Sequence, residues 1–181
     1  MLLDTKECLR KYGSYYAIRR MVETGHLRKL ECGIYSDGME YVPGEQIIQK
    51  KFPAAVFTME SAFLYHRLSD FVPETYSIAT PSRTTALADR RVKQYYVPSG
   101  TLDVGKMELE IAGGKIVVYD LERMLIELMR YKNKLPYDYY KEVLGNYRAN
   151  LDRLYPAKLD DYLAFFPKRD AISRHLDNEV F

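Results

Sequence analysis

The sequence has no tryptophan, only two cysteines and only three histidines, and each shortage closes off a class of function. Cys8 and Cys32 are too few for a disulfide framework or a zinc site, so both read as buried, reduced thiols. His26, His66 and His175 fall in three different predicted elements with no metal-ligand spacing around them. There is no nucleophile elbow, no Walker loop and no glycine-rich dinucleotide fingerprint. The expectation is a protein that is not an enzyme, with no catalytic residues, no metal and no cofactor. No apolar stretch reaches signal-peptide or membrane-spanning length, and MLLDTKECLRKYG is charged within its first seven residues, so a cytoplasmic protein with no membrane partner is expected. Charge of one sign is also missing: the net charge is +2, and any affinity for nucleic acid has to come from local clustering.

What is present is a globular composition, 47% hydrophobic and 29% charged over 181 residues, enough for one ordinary domain or a small one followed by a larger one. Asp4 and Glu7 form a capping box for a helix from Thr5 to about Tyr12, with Leu3 and Cys8 as its hydrophobic staple. Gly13 turns the chain into a second helix capped by Ser14 and ended by Gly25. Tyr15, Ile18, Met21 and Val22 recur at helical spacing on its apolar side, which leaves Tyr16, Arg19, Arg20 and Glu23 opposite. His26–Leu30 and Gly33–Ser36 then read as two short strands about Glu31-Cys32-Gly33. Helix, turn, helix and hairpin outline a winged helix-turn-helix.

From Arg10 to Leu30 the basic residues Arg10, Lys11, Arg19, Arg20, Arg28 and Lys29 face the single acid Glu23. Such a window suits a helix in a DNA groove with the hairpin on the neighbouring backbone. It suits equally a small helical cap with a solvated basic face.

The Pro43-Gly44 joint after the hairpin suggests a boundary, with residues 1–40 as the winged-helix-like part and 45–181 as a larger α+β domain. That domain is expected to hold a short helix over 45–51, strands at 54–57, 74–80 and 91–97, and a helix over 58–68. A hairpin of strands 106–110 and 115–119 follows, turning at Gly113-Gly114. Asp120 caps an amphipathic helix whose Leu121, Met124, Leu125, Leu128 and Met129 face the core, with Glu122, Arg123, Glu127 and Arg130 pointing outward. Helices over 137–147, 152–165 and 171–180 complete a mixed sheet with packed C-terminal helices.

Three further groups of residues carry chemistry on paper. His66 reads either as a base or as a hydrogen-bonded core histidine. Arg83, Arg90, Arg91 and Lys93 against Asp89 make a second basic patch, beginning in the hydroxyl-rich loop PSRTTALA, which reads as an anion-contacting loop or as a polar connection. Asp103, Glu108, Glu110 and Lys115 superficially match an acidic-plus-lysine metal site, and equally match outward positions of a solvated strand.

The segments GHLRKLECGIYS, TMESAFLYH and YDLERML, within Tyr12–Tyr35, Val56–Leu68 and Val118–Arg130, together with Tyr76–Pro81, resemble the AbiEi family of antitoxins from type IV toxin-antitoxin systems. The resemblance implies a winged-helix domain that binds promoter DNA of its own operon, and a C-terminal domain that counteracts a nucleotidyltransferase toxin without requiring a stable complex. It also implies Tyr16, Arg19 and Arg20 as groove-facing residues, with Arg28 and Lys29 on the wing. One departure stands out: only MLLD precedes the Thr5 helix, where family members commonly carry a further helix, so the winged helix is expected to be truncated. The alternative reading is a protein or RNA interaction module whose vestigial winged helix no longer binds DNA.

Overall fold

Asp4 opens the first helix as its spacing predicts. Its carboxylate accepts a hydrogen bond from the Glu7 N–H at 2.8 Å, and the Glu7 carboxylate accepts one from the Asp4 N–H at 2.7 Å. Two backbone donors with no intrahelical partner are thereby satisfied together. Helix α1 (Thr5–Tyr12) ends at Gly13, whose φ of +85° lies in the region that only glycine enters without strain. Ser14 then caps α2 (Tyr15–Glu23) by accepting from the Ala17 N–H at 3.1 Å.

The computed structural model describes residues 1–38 and 40–181, and it divides into two compact units. The first comprises residues 1–54 with 110–116; the second comprises residues 55–109 with 117–181. In the first, β1 (Leu2–Asp4), β2 (Arg28–Glu31) and β3 (Ile34–Ser36) form an antiparallel sheet in the order β1-β3-β2. The residues ahead of α1 are therefore a strand, Leu2 opposite Ser36 and Asp4 opposite Ile34. Leu3, Cys8, Ile18 and Leu27 make the buried core, with Leu9, Tyr12, Met21, Val22 and Tyr35 packed around it. Helix α3 (Gly44–Lys51) packs on β1 and β3, its Lys50 paired with Glu7 at 2.5 Å. The first unit thus continues past the Pro43-Gly44 joint; Met39, four residues ahead of Pro43, lies outside the described residues.

Two expectations fail here. Tyr15 lies on the outside of α2 rather than in the core, because Ile18, Met21 and Val22 already fill the side that faces α1 and the sheet. Cys32 is exposed at the turn between β2 and β3, where the chain reverses and no neighbour covers the thiol. Cys8 alone is the buried thiol, and burial pushes its pKa up.

The second unit is built on a mixed five-stranded sheet, in the order β6-β5-β4-β8-β7. Its strands are β4 (Val56–Phe57), β5 (Tyr76–Pro81), β6 (Val92–Val97), β7 (Lys106–Ile111) and β8 (Gly114–Tyr119), with the tip of the last two assigned to the first unit. β4 runs antiparallel to β5 and parallel to β8, and β5 runs parallel to β6. The turn between β7 and β8 is one residue earlier than predicted. Ala112 and Gly113, at φ +47° and +78°, take the two left-handed positions that a primed turn requires, and Gly114 begins the strand.

Helices α4 (Met59–Tyr65), α5 (Leu121–Tyr131), α6 (Tyr137–Ala149), α7 (Pro156–Leu163) and α8 (Arg169–Glu179) complete an α+β architecture of eight helices among the described residues. Helix α7 starts at Pro156 rather than near Asp152. Proline suits a first helical position but not an interior one, so Leu151–Arg153 forms only a short 3-10 turn.

The largest difference from expectation concerns α5. Glu122, Arg123 and Glu127 do not point outward: all three are buried, Arg123 with 0% of its surface exposed. The apolar stripe is covered as predicted, but α7 and α8 also pack on α5 and close over its charged side. Each charge is then answered individually. Arg123 donates from Nε to Glu127 Oε1 at 3.0 Å and from Nη1 to the Thr101 and Val104 carbonyls at 2.5 and 3.0 Å, and its Nη2 lies 2.8 Å from Glu127 Oε1 as an ion-pair contact. Its guanidinium lies over the rings of Tyr119 and Phe166, 4.2 and 4.5 Å from their centroids. Glu127 also accepts from Arg130 at 2.7 and 2.5 Å.

At the start of the helix Asp120 caps the Arg123 N–H at 2.9 Å, accepts from the Tyr162 hydroxyl at 2.8 Å and pairs with Lys158 at 2.6 Å. Glu122 accepts from the Tyr155 N–H at 2.9 Å. Gly105 makes the close approach of the 98–105 loop possible: at φ +78°, a Cβ there would lie 2.5 Å from Arg123 Cβ.

Breaking this network leaves an uncompensated charge inside the protein. Arg123→Ala should lower stability by about 3–5 kcal/mol in urea denaturation followed by circular dichroism. Arg123→Met combined with Glu127→Leu should cost clearly less, because Arg130 is left able to reach solvent. Gly105→Ala should also destabilise, by roughly 2 kcal/mol or more, through clash and backbone strain together.

Candidate nucleic-acid interface

The exposed side of α2 carries Tyr16, Arg19, Arg20 and Glu23 at positions i, i+3, i+4 and i+7, which fall in one line along a helix. Ile18 is buried on the opposite side and fixes the rotation of the helix, so the sequence pattern by itself turns these four outward. With Thr24 they line a surface depression of about 480 Å³. Tyr16 is 75% exposed. Arg19 Nε donates to Glu23 Oε1 at 2.9 Å in an open, solvent-facing pair, whereas the Arg20 guanidinium makes no ion pair among the described residues. The helix end is secured by Thr24, whose hydroxyl donates to the Arg20 carbonyl at 2.9 Å.

The hairpin presents its cations unequally. Lys29 is exposed on β2 with no ion pair among the described residues, and Arg28 is half-buried, donating to the Glu40 carbonyl at 2.5 Å. Elsewhere in the predicted basic window, Lys11 is tied to Asp37 at 2.9 Å. The Asp37 carboxyl is held down at about 2 by the Met1 ammonium and by Lys11. Arg10 is exposed with no ion pair among the described residues. The cations left to solvent are thus Arg10, Arg20 and Lys29, with Arg19 in a pair that is weak by its exposure.

The second basic patch is divided. Arg91 is bound to Asp89 through two hydrogen bonds at 3.0 and 2.8 Å. Lys93 is bound to Glu60 at 2.7 Å. Burial alone would raise the Glu60 pKa, but Lys93, the Glu60 backbone amide, Ser77 and Tyr95 together hold it below the ordinary 4.5. Burial and the neighbouring carboxylate push the Tyr95 hydroxyl up, so it stays a donor. Glu60 is the residue that sequence reasoning missed: it lies 33 positions from Lys93, and no local spacing announces the pair. Arg83 and Arg90 are exposed without ion pairs among the described residues. Their loop is pinned by Gln94, which accepts from the Leu87 N–H at 2.9 Å and donates to Thr80 at 2.7 Å, as a polar connection would be.

The remaining candidates are dispersed or internal. His66 is buried, and its Nε2–H donates to the Tyr119 carbonyl at 2.6 Å. Burial draws its pKa down and keeps it neutral, the core arrangement rather than that of a base. Asp103 is paired with Lys106 at 2.6 Å, Glu108, Glu110 and Lys115 are exposed on the hairpin strands, and no metal-holding group of three His, Cys, Asp or Glu exists among the described residues. No helix of the described residues is long and apolar enough to cross a membrane.

The sequence matches no family profile and no curated protein. Its backbone is similar to the crystal structure of the RV2827C protein from Mycobacterium tuberculosis, with a TM-score of 0.63 and 13% identity. The match covers 99% of this chain and 72% of that one, and at this identity it shows the shared fold alone.

Exposed and paired cations should separate in stability. Arg20→Ala and Lys29→Ala should each change it by no more than about 0.5 kcal/mol, while Lys93→Ala should destabilise clearly by stripping Glu60 of its counter-ion. Because the folded Glu60 pKa is depressed, its stabilisation is present above pH 4.5 and is lost as pH falls through the lowered value. Urea midpoints measured from pH 7 to pH 3 should fall in the wild type, and Glu60→Gln should flatten part of that fall.

Proposed function

We propose that this chain is a DNA-binding antitoxin of the type IV toxin-antitoxin class, whose first unit is a winged helix-turn-helix that represses its own operon. In this reading α1 and α2 are the helix-turn-helix, α2 enters the major groove, and the β2–β3 hairpin is the wing. The observation that carries the DNA-binding part is the exposed stripe Tyr16, Arg19, Arg20 and Glu23 on α2, followed by a hairpin that leaves Lys29 to solvent. Cations without an internal partner on a helix of groove-entering size are free to replace the counter-ions of phosphate. β1 and α3 both pack on the β3 strand of that hairpin.

The antitoxin part is supported by the resemblance of GHLRKLECGIYS, TMESAFLYH and YDLERML to the AbiEi family. The toxin partner is a nucleotidyltransferase, countered with or without a stable complex. In the second unit Arg123 and Lys93 are paired with Glu127 and Glu60, which leaves Arg83 and Arg90 as the exposed cations of the second basic patch. The rival reading is a protein or RNA interaction module whose vestigial winged helix no longer binds DNA, for which the exposed Arg83 and Arg90 are the candidate contacts.

Fluorescence anisotropy with a duplex from upstream of its own operon tests the DNA-binding part. Affinity should fall steeply with salt, and Arg20→Ala with Lys29→Ala should weaken binding and reduce the slope of log K against log salt by about 2, one for each lost phosphate contact. Unchanged binding by that variant would contradict the assignment. Arg83→Ala with Arg90→Ala should leave the promoter duplex bound as before. Where the adjacent gene encodes a growth-arresting nucleotidyltransferase, co-expression of this chain should restore growth, and continued arrest would contradict the antitoxin reading.

A further inference from the structure

Glu23 contributes little to the fold. It occupies the last turn of α2, where a negative charge opposes the helix dipole, and it caps nothing, since the unsatisfied groups of a helix C-terminus are carbonyls and a carboxylate can only accept. Its side chain keeps 60% of its surface exposed, so its pair with Arg19 adds only a few tenths of a kcal/mol. It also stands in the stripe proposed to approach a polyanion, where a carboxylate repels phosphate. A group that helps neither the fold nor general DNA affinity needs a partner that carries a hydrogen-bond donor rather than a negative charge.

The major groove offers that partner in the exocyclic amine of cytosine, which a carboxylate accepts. We infer that Glu23 is a specificity-determining residue that reads a cytosine, and that it holds Arg19 for an adjacent guanine. The geometry on α2 suits both roles. Glu23 Oε1 takes the Arg19 Nε–H at 2.9 Å, which leaves Glu23 Oε2 for a base amine. The terminal nitrogens of Arg19 are left for the O6 and N7 acceptors of guanine, which a guanidinium bridges. Arg20, without an ion pair of its own among the described residues, supplies phosphate attraction beside them. The pair therefore lowers affinity for arbitrary sequence and raises it for a site with C and G at neighbouring positions. This inference rests on the DNA-binding reading of α2.

Its test is selection of duplexes from a fully randomised library by the full-length protein and by Glu23→Gln, each followed by sequencing and anisotropy on the selected and unselected duplexes. The wild type should enrich a motif with a fixed cytosine, and Glu23→Gln should lose that base alone. The variant should also bind unselected DNA more tightly, so that its preference for the wild-type motif over random duplex drops roughly tenfold or more. Arg19→Lys, which keeps the charge but not the fork, should relax the adjacent guanine. If the wild type binds and enriches a motif that Glu23→Gln enriches unchanged, the inference fails while DNA binding stands. If the wild type retains no duplex at low salt, the DNA-binding reading fails and this inference with it.

Discussion

The second unit depends on one buried guanidinium. Arg123 sits where α5, the loop before β7 and the last helices converge, and it brings a full positive charge into the interior. A fixed charge in that position forces everything around it: Glu127 as counter-ion, the Thr101 and Val104 carbonyls accepting from it, the rings of Tyr119 and Phe166 within 4.5 Å, and a glycine at 105. Such a cluster adds little net stability over an apolar core, yet it tolerates no partial loss. It accounts for a helix that is covered all round although half of its surface reads as polar.

The first unit follows the opposite rule. Its core is small and apolar, built from Leu3, Cys8, Ile18 and Leu27, and the charges of α2 are left in water. Both units pair some cations and leave others in water: in the second, Lys93, Arg91 and Arg130 meet Glu60, Asp89 and Glu127 while Arg83 and Arg90 stay exposed, and in the first, Lys11 and Lys50 meet Asp37 and Glu7 while Arg20 and Lys29 stay exposed. The proposed function places nucleic-acid contact on the first unit because its exposed cations stand on a helix and a hairpin, and leaves the toxin-directed role to the second.

Local signals in the sequence were readable wherever one short stretch determined the outcome. The Asp4-Glu7 capping box, the Gly13 turn, the Ser14 cap and the Asp120 cap all lie where the spacing predicts, and so does the outward stripe of α2. Long-range pairing was not readable. Nothing near Glu122, Arg123 or Glu127 announces that α7 and α8 will close over them, since charged residues at helical spacing look alike whether they meet water or each other. Lys93 read as a free cation because Glu60 lies on a distant helix, and Tyr15 read as core because periodicity counts positions without knowing how few a small core needs.

The most direct measurement is hydrogen–deuterium exchange of the full chain with and without duplex DNA from upstream of its operon. Slowed exchange confined to residues 14–36, covering α2 and the β2–β3 hairpin, is the expected result. Slowed exchange only within residues 55–181, or none at low salt, would contradict it.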